Sequence, residues 1–349
     1  MGSFAPLRTL ARALALAAAA ALLPASASML LSTAEHADGA QDASYQALVG
    51  AANAVVGVKV RALPNAFSNE TLGVERKGSG VIIDRNLVLT IGYLVMEADT
   101  VEVTDSTGAT VPASVVAYDH ATGFGLLRPL TRLKPKPIHL GSSAPVSQAD
   151  RLMIVTGGDE QAISIASVAA RRQYAGYWEY KIDNAIFTAP PRLDHSGAAL
   201  IDKDGNLVGI GSLFVLDAAT PGERSPGNMF VPIDLLKPVL EDLVRTGGQP
   251  ASHRPWLGVD SLVEDGRVMV MQVNDESPAK AAGITPGDII LSVNGSPVAS
   301  LETFYDKLWG SNAHAGADFH LTLLHGPTTR DVVVHSMDRE ACLRHKPDV

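Results

Sequence analysis

The sequence predicts an all-β protein, a sandwich or barrel, followed by a second and smaller domain. Between residues 54 and 229, short segments rich in valine and isoleucine alternate with turn residues, which is typical of such folds. Around residues 247–253, two glycines end a helical pattern and a polar stretch with a proline follows. The length of 349 residues is sufficient for two domains.

The first 27 residues have the parts of a secretory signal peptide. Arg8 and Arg12 give a basic start, an apolar run extends from Ala13 to Leu23, and Ala25-Ser26-Ala27 offers a cleavage site. The apolar run is shorter than the roughly 18 to 20 residues that span a bilayer. We therefore expect cleavage after this motif and an exported chain in the periplasm with no membrane span. An uncleaved anchor is the alternative.

Charge and cysteine content exclude several classes of partner and site. The net charge is −9, and a leader whose charged residues are both arginines leaves the mature chain more acidic. An acidic surface argues against nucleic acid or an anionic membrane as the main partner. The single cysteine, Cys342, excludes an internal disulfide and a cysteine-rich metal site. A free thiol and an intermolecular disulfide both remain open for it.

The individual elements follow from the order of apolar and turn residues. Strands are predicted at residues 54–60, 100–104, 111–116, 150–157 and 163–168. A helix is predicted to open at Pro232 and to end at Gly247-Gly248, before a linker at residues 249–253. The apolar positions of that helix recur at helical spacing: Leu235, Leu236, Val239, Leu240, Leu243 and Val244.

Residues 193–200 have the sequence of a serine-nucleophile turn, with Ser196 inside it. A hairpin that turns at Asp204-Gly205 follows. Together with segments 78–95 and 115–127, this unit resembles the HtrA/Deg family of chymotrypsin-like periplasmic proteases. The resemblance implies a chymotrypsin-like double β-barrel over residues 28–248, with two six-stranded barrels and the site in the cleft between them.

The resemblance also implies which residues stand at the catalytic positions. Ser196 is at the position of the nucleophile, and Tyr93 is at that of the general-base histidine. Gly123 replaces the aspartate that orients the base, and Asp194 replaces the oxyanion-hole glycine. A serine needs a general base, and a phenol of pKa near 10 stays protonated at neutral pH. A carboxylate at position 194 would repel the developing oxyanion. A vestigial catalytic site is therefore predicted, with Tyr93 filling the volume of the lost imidazole.

Two other chemistries are alternatives for the cleft. One is an active serine endopeptidase with a displaced base, for which His120 beside Asp119, or His195 beside Ser196, are the candidates. We expect both histidines to lie exposed in loops. The other is a metal-binding derivative that uses Asp194 and His195, which needs at least one further ligand. No paired histidine or cysteine spacing supplies that ligand, so no metal and no cofactor is predicted.

Residues 254–340 resemble a PDZ domain, and residues 341–349 follow it as a polar tail. The match lies in segments 254–259, 276–290 and 293–295. The resemblance implies that an extended peptide adds a strand to an open sheet edge.

Specific residues are expected to form the peptide groove. The backbone N–H groups of Leu257, Gly258 and Val259 would hold the terminal carboxylate of the peptide. The second wall would be a helix with Ser300 as its N-cap, and Phe304 or Leu308 would face the groove.

These features together predict a catalytically inactive, HtrA-like periplasmic protein. It would bind peptides or unfolded proteins with free C-termini, as a chaperone, scaffold or regulator. A homotrimer is expected by analogy, and its candidate contact residues lie in the N-terminal segment: Met29, Leu30, Leu31 and Tyr45. If the nucleophile turn keeps its geometry, changing Tyr93 to histidine, Gly123 to aspartate and Asp194 to glycine should restore some activity.

Overall fold

A computed structural model describes residues 42–158, 161–247, 253–310 and 313–344. More of them lie in β-strands than in helices, and the strands build every sheet and barrel of the fold, so the predicted all-β class is confirmed. The expected signal peptide (residues 1–27), the trimer candidates Met29, Leu30 and Leu31, and most of the linker lie outside the described residues. Tyr45 is described, and its side chain is exposed. No helix of the described ranges is long and apolar enough to cross a membrane.

The first six strands close into a barrel with the order β1-β2-β3-β6-β5-β4. Along the first strand, Val58 and Val60 are buried while Lys59 and Arg61 are exposed, which is the period of two of a half-buried strand. Three helices lie in this part of the chain: α1 (residues 42–53), α2 (Asn69–Leu72) and α3 (Gly92–Val95). The strands are β1 (Val55–Ala62), β2 (Glu75–Asp84), β3 (Leu87–Ile91), β4 (Ala98–Thr104), β5 (Thr110–Tyr118) and β6 (Phe124–Pro129).

The next strands form the second barrel. It closes because β11 pairs with both β8 and β12, while the short β7 pairs in parallel with β12. Phe124 of the first barrel and Phe187 of the second belong to one buried apolar cluster, so the two barrels share a core. The strands are β7 (His139–Leu140), β8 (Arg151–Thr156), β9 (Ala162–Gly176), β10 (Tyr180–Ala189), β11 (Ala199–Ile201), β12 (Asn206–Val215) and β13 (Gly227–Pro232).

The helix after the second barrel is shorter than the spacing of apolar residues predicts. A single 3₁₀ turn, Ile233–Leu235, is followed by the helix α4 (Leu240–Thr246). Pro238 lies between them. A proline has no backbone N–H and disfavours the helical conformation of the residue before it, so a continuous helix is interrupted there. The predicted end at Gly247 is confirmed by its left-handed conformation as the C-cap.

The C-terminal domain has its own sheet and its own apolar core. Its main strands are ordered β15-β16-β17-β19-β20, and β14 pairs with β21. The predicted N-cap is confirmed, because Ser300 and Thr303 form a reciprocal capping box at the start of α6. The elements are β14 (Pro255–Trp256), β15 (Val259–Glu264), β16 (Arg267–Val273), α5 (Pro278–Ala281), β17 (Ile289–Val293), β18 (Ser296–Pro297), α6 (Leu301–Leu308), β19 (Asp318–His325), β20 (Thr328–His335) and β21 (Met337–Asp338).

The turn that carries Ser196 is held against the first barrel by its backbone. Ser79 N donates to the carbonyl oxygen of Ser196 at 2.8 Å, and Gly197 N donates to that of Gly211 at 2.8 Å. Gly197 has φ +73°, and a Cβ there would come within 1.9 Å of the carbonyl oxygen of Ser79. This close approach requires glycine, and it fixes Ser196 at the junction of the two barrels.

Candidate functional site

The hydroxyl of Ser196 is hydrogen-bonded to Tyr93. Tyr93 lies in α3, directly after β3, and its Oη is 2.7 Å from Ser196 Oγ and 2.8 Å from the carbonyl oxygen of Ser212. A phenol carries one hydrogen, and a carbonyl oxygen can only accept. When both bonds form, Tyr93 donates to Ser212 and Ser196 donates to Tyr93. The hydroxyl of the serine at the expected nucleophile position is therefore hydrogen-bonded to a phenol.

Tyr93 is unsuited to act as a general base. Burial raises the pKa of its phenol to about 12, although the hydrogen bond with Ser196 opposes this shift. The phenol is consequently neutral at physiological pH, and a neutral phenol does not take the proton that Ser196 must lose before it attacks. At the position that the resemblance assigns to the base, the tyrosine thus forms a hydrogen bond with the serine, and its raised pKa makes it a poor proton acceptor.

Tyr180 fills the space beside Gly123. Gly123 has φ +82°, and a Cβ added to it would lie 2.6 Å from the hydroxyl oxygen of Tyr180. That hydroxyl donates to the carbonyl oxygen of Thr122 at 3.0 Å, and burial keeps the pKa of Tyr180 well above its usual value. Sequence reasoning missed Tyr180, because it comes from β10 of the other barrel and no local motif marks it.

Asp194 is held as an ionised carboxylate next to the serine turn. Arg192 donates to it from Nε at 2.9 Å and from Nη2 at 2.6 Å, and Thr156 Oγ1 donates at 3.1 Å. Burial alone would raise the pKa of this carboxyl, but Arg192, Thr156 and the backbone N–H of Asp194 itself lower it. That backbone N–H stands at the oxyanion-hole position implied by the resemblance, so a negative charge lies on the residue that would supply the donor.

Neither candidate for a displaced base is hydrogen-bonded to Ser196. His195 is half-buried and pairs through Nδ1 with the carbonyl oxygen of Arg192 at 3.1 Å. His120 stacks at 4.1 Å between ring centroids on Tyr118, and neither of its ring nitrogens has a partner among the described residues. Both histidines lie in loops, as expected, but the expectation that they are exposed is wrong, because each is half-buried.

The environments of His120 and Asp119 indicate that both residues have structural roles. Burial lowers the pKa of His120 to about 3, so its imidazole is neutral at physiological pH. Asp119 is buried and accepts hydrogen bonds from Ala121 N at 3.1 Å and from Thr122 Oγ1 at 2.5 Å. These bonds stabilise the turn that places Gly123, because they satisfy backbone and side-chain donors within it.

In the described part of the chain, one group of side chains has the spacing of a metal site, and it lies outside the cleft. It consists of His253, Asp338 and Glu340, whose ligand atoms lie within 4.8 Å of one another. His253 and Asp338 already form an ion pair there. The pair considered in the cleft, Asp194 and His195, does not belong to this group.

A buried carboxylate occupies the predicted carboxylate-binding loop. Glu179 accepts hydrogen bonds from the backbone N–H groups of Leu257 at 3.1 Å, Gly258 at 2.7 Å and Val259 at 3.0 Å. Burial raises the pKa of Glu179 to about 7, and the three amide hydrogen bonds oppose this rise. The loop thus binds a carboxylate, which is supplied by the turn between β9 and β10.

The same turn contacts both walls of the groove. Ser261 N of β15 donates to the carbonyl oxygen of Tyr177 at 2.8 Å. On the other wall, Tyr305 Oη of α6 donates to the carbonyl oxygen of Gly176 at 2.6 Å and accepts from Glu179 N at 3.2 Å. Sequence reasoning missed Glu179 and Tyr305, and their pairing over 126 residues has no local signal.

Phe304 and Leu308, the residues expected to face the groove, are both fully buried in the apolar cluster of the C-terminal domain. The neighbouring Tyr305 supplies the polar contacts of α6 with the turn. The helix therefore presents a hydroxyl at this point of the groove.

Comparisons with known proteins agree with this architecture. Residues 78–210 match the trypsin-like peptidase domain and residues 255–335 match the PDZ domain. The serine endoprotease DegS of Haemophilus influenzae is 31% identical over 256 residues, which cover 70% of this chain and 73% of that protein. DegS of Escherichia coli is 29% identical over 281 residues, which cover 75% of this chain and 77% of that protein.

Solved structures show the same fold. The HtrA-type protease AlgW with a decapeptide has a TM-score of 0.53 at 21% identity, and the match covers 87% of this chain and 99% of that chain. The serine endoprotease from Yersinia pestis has a TM-score of 0.52 at 25% identity, with 84% and 97% covered. On the strength of the DegS relatives and the two domain matches, this chain belongs to the HtrA/Deg family of trypsin-like serine proteases with a PDZ domain.

Proposed function

We propose that this chain is a pseudoprotease of the HtrA/Deg family that binds the C-termini of peptides or unfolded proteins through its PDZ domain, as a chaperone, scaffold or regulator. The observation that carries the proposal is the carboxylate of Glu179 on the backbone N–H groups of residues 257–259. A loop that aims three amide donors at one carboxylate is suited to the terminal carboxylate of a peptide.

The catalytic centre supports binding without hydrolysis. Ser196 is capped by a phenol whose pKa is about 12, and the place of an orienting carboxylate is filled by Tyr180. Loss of a triad member removes several orders of magnitude of rate even where substrates still bind. The described chain therefore lacks the proton transfer that serine proteolysis requires.

One observation favours the alternative of an active serine endopeptidase. A cleft of about 220 Å³ opens beside Ser196, lined by Leu193, Asp194, Thr156 and Ser79 among others. A peptide placed there would lie next to the serine hydroxyl. The labelling experiment below decides between the two functions.

The proposal includes a compartment and a domain assignment. The leader motif and a relative of Salmonella typhimurium named as the periplasmic serine endoprotease DegP, 27% identical over 239 residues, support the periplasm. We assign residues 28–248 to the protease-like domain and residues 254–340 to the PDZ domain. A homotrimer through the N-terminal segment remains part of the proposal by analogy with the family.

Two measurements on the mature chain test the proposed function. We expect no labelling of Ser196 by a fluorophosphonate and no cleavage of casein above the level of the Ser196→Ala variant. We also expect a peptide with a free, apolar C-terminus to bind more tightly than the same peptide with an amidated C-terminus. Stoichiometric labelling that Ser196→Ala abolishes would make the chain a hydrolase. Equal affinity for the two peptides would remove the carboxylate loop from the function.

A further inference from the structure

The turn between β9 and β10, residues 176–180, occupies the groove that the proposed function assigns to a partner. Residues 257–259 donate their backbone N–H groups to the carboxylate of Glu179, and Ser261 N donates to the carbonyl oxygen of Tyr177. Each N–H carries one hydrogen, so these donors cannot fully serve the turn and a peptide at the same time.

We propose that this turn is an internal ligand of the PDZ domain, and that a partner's C-terminal carboxylate binds only by displacing Glu179 from the loop. The proposal rests on the proposed function, because it describes how the same groove is closed and opened. It names the partner as a chain end that competes with a carboxylate already present.

The internal ligand presents the groups that the end of a bound peptide presents. A carboxylate lies on the loop, and a backbone carbonyl two residues earlier accepts a bond from the edge strand β15. A peptide that adds a strand to a sheet edge uses these two kinds of contact. The difference is that the carboxylate of Glu179 belongs to a side chain, and the backbone continues into β10. The groove therefore fits a carboxylate that follows an extended backbone, which a free C-terminus also offers.

The turn keeps a glutamate where the backbone favours glycine. Glu179 has φ +55°, a left-handed conformation that strains a residue with a side chain. A glycine would relieve this strain but would leave the loop without a carboxylate. The buried carboxylate in turn requires its hydrogen bonds, because an unpaired charge away from water is strongly disfavoured. The hydrogen bonds from the PDZ loop compensate for the backbone strain and for the burial of the carboxylate. The contact with this loop therefore explains why residue 179 is a glutamate.

Additional contacts hold the internal ligand, from α6 and from the residues after β21. Tyr305 Oη bridges Gly176 and Glu179. Lys181, which follows the turn, forms an ion pair with Asp306 of the same helix α6. Arg339 Nη1 donates to the carbonyl oxygen of Trp178 at 3.1 Å. The closed state is thus supported by groups on both walls, so the apparent affinity of a partner is reduced by the fraction of molecules in that state.

The experiment compares the mature chain with its Glu179→Ala and Glu179→Gln variants. Glu223→Gln is the matched control, because Glu223 is exposed in a loop of the same barrel. The probe is the pair of apolar peptides with a free and an amidated C-terminus, and affinity is measured by calorimetry. We expect Glu179→Ala to bind the free peptide about tenfold more tightly or better, because it removes the acceptor of three hydrogen bonds. The affinity of Glu179→Gln should lie between those of the wild type and Glu179→Ala, and the affinity of Glu223→Gln should match that of the wild type.

Hydrogen exchange on the wild-type chain gives the second readout. Addition of the free peptide should increase exchange at the backbone amides of residues 176–180, since the turn leaves the groove, while the amidated peptide should not. Carboxylate-dependent binding with equal affinity in wild type and Glu179→Ala, or without increased exchange in the turn, would overturn the internal ligand and leave the proposed function standing. Absence of carboxylate-dependent binding in the wild type and in Glu179→Ala would overturn the proposed function itself.

Discussion

Glu179 and Tyr180 are consecutive residues whose side chains enter two different sites. The carboxylate of Glu179 lies on the PDZ loop, 2.7 Å from Gly258 N. The hydroxyl of Tyr180 lies beside Gly123, where the family's catalytic aspartate would stand. Glu179 is the last residue of the turn and Tyr180 is the first residue of β10, so one connection between β9 and β10 fills a position in each domain.

This arrangement links the proposed loss of catalysis with the proposed closed state of the groove in one segment of the chain. Trp178 stacks on Tyr180 with ring centroids 5.5 Å apart and an interplanar angle of 11°. Aromatic packing of this kind adds to the stability of the turn. A substitution at Trp178 or Tyr180 is therefore expected to alter the packing of the other residue. The predictions below test the two sites separately.

Removing the hydroxyl of Tyr93 should cost stability without creating a protease. In Tyr93→Phe, the carbonyl oxygen of Ser212 and the hydroxyl of Ser196 lose a buried partner, so we expect a loss of about 1 to 3 kcal/mol in the free energy of unfolding. Urea denaturation measures it, with the exposed Tyr45→Phe as the control. Labelling of Ser196 by a fluorophosphonate in Tyr93→Phe would contradict the prediction that the site lacks a base.

The combined variant Tyr93→His, Gly123→Asp and Asp194→Gly should remain inactive. The sequence suggested that it would regain some activity, but a side chain at residue 123 meets Tyr180 and adopts an unfavourable φ of +82°. A strained backbone costs about 1 to 3 kcal/mol before any steric overlap is added. We expect Gly123→Asp alone to lower the thermal midpoint, measured by circular dichroism. A folded triple variant that cleaves casein in a Ser196-dependent manner would refute this.

Acid should destabilise the protein partly through His120. The folded-state pKa of about 3 lies below the ordinary value of 6.5, so the unfolded chain binds the proton more readily. The contribution of the neutral His120 imidazole to the free energy of unfolding is complete above pH 6.5. It is lost as the pH falls from there towards 3, by about 1.4 kcal/mol per pH unit. His120→Phe should flatten this part of the stability profile measured by urea denaturation, whereas His320→Phe, at an exposed position, should not. Parallel profiles for wild type and His120→Phe would disprove it.

Peptide affinity should rise with pH in the wild type because of Glu179. Its pKa is raised to about 7 in the closed groove, against an ordinary 4.5. The closed state therefore holds a proton that the open state releases, and closure weakens as the pH rises from 4.5 to 7. Between pH 5 and 8 we expect the affinity for a free C-terminus to increase roughly tenfold or more.

Glu179→Ala is the control for this pH dependence. Asp260 and Arg339 face the same region and remain in that variant, so any titration of theirs appears in both proteins. The affinity of Glu179→Ala should be nearly constant over the same range. An equal slope in the two proteins would assign the pH dependence to another group.

Local patterns determined the strands, the caps and the motifs of this protein. Alternation along β1 follows from the order of valines and charged residues, and the capping box at Ser300 from residues three apart. The positions of Ser196 and of the carboxylate loop likewise follow from short motifs. Pro238 is also a local signal. It predicts the break before α4, whereas the apolar spacing alone predicts a continuous helix. Such features depend on neighbours within one turn or strand, so the sequence alone contains their cause.

Which residues fill the two sites was decided by the tertiary structure. Tyr180 reaches Thr122 over 58 residues, and Glu179 reaches Leu257 over 78. Neither contact has a sequence pattern, because each depends on how the second barrel packs against the first barrel and the PDZ domain. The burial of the two ring nitrogens of His120 has the same origin. Chain entropy separates such residues in the unfolded state, and only the packed assembly brings a phenol to a glycine and a glutamate to three amides.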